Sequence, residues 1–238
     1  MMEKLKSGTE RLGINLTPLQ LGQFENYYRL LIDWNKRINL TSITDYEEVQ
    51  VKHFLDSLSL TSTIDFGGGL DIIDVGTGAG FPGIPLKIAF PDIKLTLLEA
   101  TVKKTKFLEQ VADELGLKDV EIIAERAETV AHDAKYREKY DVVLSRAVAA
   151  LPALAELMLP FCCIGGECIV QKKGDIREEV EQAEKAIMVM GGKLRGVKAV
   201  EFKELGDNRW LVILDKIGHT PANYPRRPGM PEKRPITS

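Results

Sequence analysis

Paired cysteines, long apolar runs and a strong net charge are all missing from this sequence, and each absence removes a class of protein. The three cysteines, Cys162, Cys163 and Cys168, fall in one apolar stretch without CxxC spacing. Neither a zinc site nor a disulfide framework is indicated, no metal is expected, and the thiols are expected as core residues of a reduced, cytoplasmic protein. No apolar run approaches the roughly 20 residues of a membrane span, so no membrane partner is expected. The opening MMEKLKSG lacks a signal-peptide core. There is no internal repeat and no low-complexity segment. A net charge of −3 argues against a general nucleic-acid coat, and no DNA partner is expected. The charge is uneven, however. From Lys216 onward five basic residues face one acid, Glu232, a net of +4 that leaves −7 for the rest. Such a tail is either a phosphate contact or a solvated end.

What is present suits a single α/β catalytic domain, and a monomer is expected. Thr17-Pro18-Leu19-Gln20 combines an N-cap, a proline at the first helical position and the glutamine of a capping box. Leu21, Phe24, Tyr28 and Leu31 then give that helix one apolar face. Asp45 with Glu48 opens another helix carrying Val49, Phe54, Leu55 and Leu58. Residues 1–66 therefore read as an N-terminal helical extension, 67–217 as the α/β body and 218–238 as a basic, proline-rich tail. In the body, strands are predicted near Asp71–Val75, Leu95–Leu98, Val120–Ala124, Asp141–Ser145 and Glu167–Gln171, alternating with helices such as Thr101–Leu115, which implies a parallel sheet. The ending differs. Two strand-like runs, Lys193–Phe202 and Trp210–Leu214, are joined by Leu205-Gly206-Asp207-Asn208 and should pair antiparallel.

The stretch DIIDVGTGAGFPGIP, Asp71 to Pro85, carries the most chemistry. An apolar strand runs into a glycine-dense turn and then a helix start, the build of a nucleotide-type cofactor site. Gly78-Ala79-Gly80-Phe81-Pro82-Gly83 satisfies GxGxxG, which alone is a weak dinucleotide signal. With the strand ending at Val75, the turn glycines become Gly76, Gly78 and Gly80, the pattern methyltransferases use for S-adenosylmethionine. Pro82 at the helix start also removes an amide that a pyrophosphate would need. Glu99, at the end of the second strand, can accept hydrogen bonds from ribose hydroxyls of either cofactor, or cap the next helix. The strand hairpin completing a seven-strand sheet favours a class I methyltransferase of Rossmann-like fold, mostly parallel with an antiparallel last strand. A small NAD-linked reductase stays open on the residues alone.

Several separated motifs extend this reading: WNKRINLT (34–41), HFLDS (53–57), GTGAGFPGIP (76–85), RAE (126–128), SRAVA (145–149) and YPRRPG (224–229). Together they strongly resemble the bacterial small-subunit ribosomal RNA methyltransferase G family, also called glucose-inhibited division protein B. The resemblance runs from the N-terminal helices to the tail. It implies S-adenosyl-L-methionine as cofactor and methylation of N7 of a guanine in 16S rRNA, in the 530 loop near the decoding centre, on free rRNA or the small ribosomal subunit. It places Gly76 and Phe81 in the cofactor pocket, Ala127 and Glu128 along the adenine side, and Arg146 at the methionine end or the target base.

The chemistry agrees with what the sequence lacks. Amino-group methylation commonly uses a D/N-P-P-Y/F motif after the fourth strand, where this chain has Ser145-Arg146-Ala147-Val148. Pyrimidine C5 methylation needs a cysteine nucleophile, and no cysteine lies beside a catalytic motif. Guanine N7 offers an in-plane lone pair and carries no proton, so alignment can supply most of the acceleration. Arg146 is the candidate catalytic residue, gripping guanine O6 or the cofactor carboxylate; the alternative is a surface ion pair. His53 reads as a packing histidine, and Lys36 and Asn39 either face the cofactor mouth or cap or solvate the end of the preceding helix. Lys172 and Lys173 follow the fifth strand, and with Arg226, Arg227, Lys233 and Arg234 they are candidates for phosphate contact. The prolines at 221, 225, 228, 231 and 235 suggest an extended tail able to lie along RNA. A non-catalytic assembly factor that keeps the cofactor fold as a scaffold is the alternative of another class.

Overall fold

The computed structural model describes residues 2–146, 149–202, 205–206 and 208–237. Ala147 and Val148 of the SRAVA motif and Asp207 of the hairpin loop lie outside them. The seven strands are β1 (Asp71–Val75), β2 (Lys94–Leu98), β3 (Val120–Ile123), β4 (Tyr140–Arg146), β5 (Cys162–Lys173), β6 (Gly192–Ala199) and β7 (Arg209–Lys216), and they lie in the order β3-β2-β1-β4-β5-β7-β6. The β2–β3, β1–β4 and β4–β5 pairs are parallel, while β7 runs antiparallel to both β5 and β6. Each predicted strand is present. β5 starts five residues earlier than predicted, in a stretch with no alternation of buried and exposed positions, and β6 ends at Ala199, three residues short of the predicted Phe202.

The chain forms two compact units. The first holds residues 1–70 and 77–124. Its helices are α1 (Glu3–Arg11), α2 (Pro18–Asn35), α3 (Tyr46–Val49), α4 (Asp56–Leu58), α5 (Gly83–Ala89) and α6 (Val102–Glu114), with a π-helical turn, Gln50–Leu55, between α3 and α4. The capping box forms as predicted: Thr17 Oγ1 accepts from Gln20 N, and Gln20 Oε1 accepts from Thr17 N at 2.8 Å. The same Gln20 donates to Ile88 and Ala89 carbonyls at the end of α5, so one side chain starts one helix and finishes another. Asp45 accepts from Glu47 N and Glu48 N. The buried face of α2 is Phe24, Tyr27 and Leu31, which corrects the predicted Tyr28. Tyr27 and Tyr28 both stand three or four residues from Phe24 and Leu31, so the helix repeat alone does not choose between them. α1 was not foreseen from the sequence; Gly8 lets it close on Leu55, whose side chain lies 2.5 Å from where a Cβ would stand.

The second unit holds residues 71–76 and 125–238. Beyond its strands it contains α7 (Ala127–Val130), α8 (Leu151–Met158), α9 (Arg177–Val189) and α10 (Met230–Lys233). α8 is buried along its whole length. A helix apolar all round has no polar face to give it a period, so the sequence does not announce it. Cys162 and Cys168 are buried and Cys163 half-buried, all as free thiols. Burial, with Cys162 and Asp141 nearby, pushes the Cys163 thiol up, away from reactivity.

Candidate active site

In the second unit the strand order reverses between β1 and β4, the place where open α/β sheets bind ligands beyond the carboxyl ends of their strands. The register pairs Ile72 with Val142, Ile73 with Val143 and Asp74 with Leu144, so the two strands end side by side. Ser145 Oγ donates to the Val75 carbonyl at 2.9 Å and ties the two strand ends together. Arg146 is half-buried at the very end of β4, opposite Gln171 on β5.

The glycine turn then continues in the first unit. Gly76, Gly78 and Gly80 all take positive φ, 69°, 62° and 92°, a conformation side chains disfavour. A Cβ on Gly78 would meet nothing within 4 Å, so the turn faces open space there, as a backbone cradle for a ligand requires. Gly80 is the opposite case: its Cβ would stand 2.4 Å from Ile84 Cδ1 and 2.8 Å from the Tyr27 hydroxyl. That hydroxyl donates to the Ala79 carbonyl, a contact the sequence reading missed along with Tyr27 itself. Phe81 is buried against His53, with ring centroids 4.5 Å apart, and against Tyr27 at 5.4 Å. His53 Nε2 also shares a hydrogen bond with Thr41 Oγ1 at 2.8 Å, so it is the packing residue that was expected. The helix after the turn begins at Gly83 with Pro82 as its N-cap, after the predicted start at Phe81 and Pro82.

Glu99 is buried at the end of β2. Its carboxylate accepts from Gly78 N at 3.1 Å and from Thr101 N at 2.8 Å, with Lys104 Nζ at 3.8 Å. It therefore braces the turn and caps the segment leading into α6. A carboxylate offers about four acceptor positions, so these bonds leave room for two hydroxyl donors.

Glu128, in α7, is buried and holds the chain's own tail: its Oε1 accepts from Gly229 N at 2.7 Å, and Arg126 Nε lies 3.6 Å away. The tail is no free extended arm. Arg137 donates to the carbonyls of Thr220, Pro221 and Tyr224, and His132 Nε2 lies 2.8 Å from the Pro225 carbonyl. Arg226 forks onto Glu156 through Nε and Nη2 at 3.0 and 2.7 Å, and its backbone N donates to the same carboxylate. Glu156 is fully buried in α8. Arg226 is thus withdrawn as a phosphate contact, since releasing it would strand a buried carboxylate. Lys172 is withdrawn too: its ammonium donates to the Ala149 carbonyl and to Glu179, with a tenth of the side chain exposed. Lys173, Arg227, Lys233 and Arg234 are exposed. The sequence concealed the tail's pairings because the carboxylate partners of Arg226, Gly229 and Thr220 lie 70 to 101 residues away.

The strand order, with β7 set antiparallel between β5 and β6, and the left-handed glycine turn after β1 define a class I S-adenosylmethionine-dependent methyltransferase. Solved structures share this fold at low identity. A complex of MtNAS with MTA and tNA matches with a TM-score of 0.56 at 12% identity, over 84% of this chain and 75% of that one. Fibrillarin, a pre-rRNA processing protein of Methanococcus jannaschii, matches at 0.52 and 17%, over 66% and 70%. A family model for rRNA small subunit methyltransferase G matches residues 20–208. A protein of Dehalococcoides mccartyi (strain BAV1) named ribosomal RNA small subunit methyltransferase G is 55% identical over 99% of this chain and 100% of its own. The protein of the same name from Pelotomaculum thermopropionicum is 47% identical over 99% of each. The chain belongs to the rRNA small subunit methyltransferase G family, and the NAD-linked reductase falls away. Among the described residues no helix is long and apolar enough to cross a membrane.

Proposed function

We propose that this chain transfers the methyl group of S-adenosylmethionine to N7 of a guanine in 16S rRNA, in the 530 loop near the decoding centre, and that it works in the cytoplasm as a monomer. The observation that carries the cofactor half is the glycine turn: three left-handed glycines, open at Gly78, with the Gly78 N–H fixed by buried Glu99. The relatives' names carry the rRNA half.

When bound, S-adenosylmethionine supplies an electrophilic methyl on a sulfonium. The chain's task is then binding and orientation. The backbone at Gly76, Gly78 and Gly80, with Phe81, lines the cofactor, and Glu99 accepts from its ribose. Ala127 and Glu128 lie along the adenine through their backbone, since the Glu128 carboxylate is committed to Gly229. Arg146 donates to the cofactor carboxylate or to guanine O6, leaving N7 open to receive the methyl. Lys173, Arg227, Lys233 and Arg234 contact RNA phosphates. Residues 1–66 serve as the helical extension, 67–217 as the catalytic body and 218–238 as the tail.

The test is transfer of labelled methyl to deproteinised 16S rRNA and to assembled small subunits, with the modified base mapped. Arg146→Ala should lower the rate roughly tenfold to a hundredfold, the worth of a hydrogen bond to a charged group. A normal rate would remove Arg146 from the site. Absence of transfer by the unsubstituted chain to either substrate would leave the scaffold reading in its place.

A further inference from the structure

We infer that the first half of α6, together with the end of α2, is a docking surface for the phosphate backbone of the substrate RNA, with Lys103 and Lys106 at its centre and Lys36 and Arg37 at its far edge. The inference rests on the rRNA substrate proposed above and assigns residues to its recognition.

The charge of α6 runs against its own dipole. A helix favours acids in its first turn and bases in its last. α6 begins Val102-Lys103-Lys104-Thr105-Lys106, with no acid in the first turn, and ends Asp113-Glu114, with no base in the last. Local physics would choose the reverse, and departures of this kind concentrate where function sets the sequence.

The lysines are also left over. Lys104 stands 3.8 Å from Glu99, but Lys103 and Lys106 are exposed and, among the described residues, have neither a side-chain hydrogen bond nor an ion pair. One helical turn apart, they share a stripe that continues to Gln110, about 10 Å along the axis from Lys103. There the stripe meets the end of α2: Trp34 Nε1 donates to Gln110 Oε1 at 3.0 Å, and the Trp34 ring packs edge-on to Phe107. The Arg37 guanidinium sits over that indole at 5.4 Å, with Lys36 beside it in sequence. These two cations share a single acid, Asp33, and remain 62% and 70% exposed. Glu109 flanks the stripe, and Glu114 bonds the Gln110 amide beyond it. The surface therefore has a net positive charge on a chain whose overall charge is negative.

Glu99, which accepts from Gly78 N and Thr101 N, holds the start of α6 directly against the glycine turn. Cations gathered at this end, with the acids sent to the other, attract a polyanion to the cofactor's side of the first unit. RNA phosphates fit this pattern: the contact is a row of solvent-exposed ammonium groups.

The test uses the full chain and deproteinised 16S rRNA, with binding measured across a salt series. Lys103→Ala with Lys106→Ala should weaken binding roughly tenfold and flatten the slope of log K against log salt by about 1.4, two phosphate contacts at about 0.7 each on single-stranded RNA. Lys103→Arg with Lys106→Arg should restore both. The KM for RNA should rise while kcat holds. Both side chains are exposed, so the melting temperature and the affinity for S-adenosylhomocysteine should match the unsubstituted chain. Unchanged RNA affinity and slope would overturn the inference. So would a loss seen only with assembled subunits, which would assign the stripe to a ribosomal protein. Methyl transfer by the unsubstituted chain tests the proposed function separately, since the salt slope is read without catalysis.

Discussion

The glycine turn at 76–83 and the tail at 218–237 are both dense in glycine or proline, yet they hold their shapes by different means. The turn is built from short-range bonds: Gly80 N and Phe81 N donate to the Thr77 carbonyl, and Ile84 N to that of Gly80. The tail has a few local backbone bonds and the single turn of α10, and its place is set by distant partners. Three acids far away in the chain, Glu128, Glu138 and Glu156, hold it in place. Glycine spacing is therefore a local message about backbone shape. A run of positive charge says nothing about whether its partner is a phosphate or a buried carboxylate.

The comparison breaks most readily at Glu156. Arg226→Ala leaves that fully buried carboxylate without a cation, with only the backbone N–H of residue 226 as partner among the described residues, and should cost about 3–5 kcal/mol in urea unfolding. A loss within experimental error would mean that the tail is loosely held and its arginine is free for RNA after all. Next in size is the turn. Gly80→Ala demands a positive φ from an alanine and drives its Cβ into Ile84 and the Tyr27 hydroxyl, and overpacking of this kind costs about 1–3 kcal/mol. S-adenosylhomocysteine binding by calorimetry should weaken in parallel; unchanged affinity would separate the turn from the cofactor.

The smallest effect concerns acid. Burial by itself would raise the Glu138 carboxyl, but hydrogen bonds from His219, Thr220 N and Lys216 hold it below its ordinary 4.5. A carboxyl lowered on folding contributes stability above 4.5 that is lost as pH falls through the folded value. Hydrogen-exchange protection factors at Thr220 and its neighbours, taken against the intrinsic rate at each pH, should thus fall below pH 4.5 while those of the glycine turn hold. Equal loss of protection in both regions would mean global unfolding and would erase the contrast.

Much of the fold was legible because its signals are short-range. Thr17 and Gln20 stand three residues apart, Asp45 and Glu48 likewise, and each pair forms the cap its spacing implied. All seven strands were placed by apolar runs bounded by turns. What escaped lacked a local signature. α8 has no polar face, Tyr27 differs from Tyr28 by one position on the helix, and Lys172 reads as a surface lysine until Glu179 and the Ala149 carbonyl are seen beside it.

By itself the sequence determined the helix starts, the strands, the left-handed turn and, through motifs spread along the chain, the family. Those features depend on backbone preferences and spacings within a few residues. The tertiary structure alone decided which charges are spent inside the protein and which remain for a partner. An ammonium or guanidinium group carries the same charge wherever it stands, and only its distance from a carboxylate and its burial determine whether that charge is already neutralised.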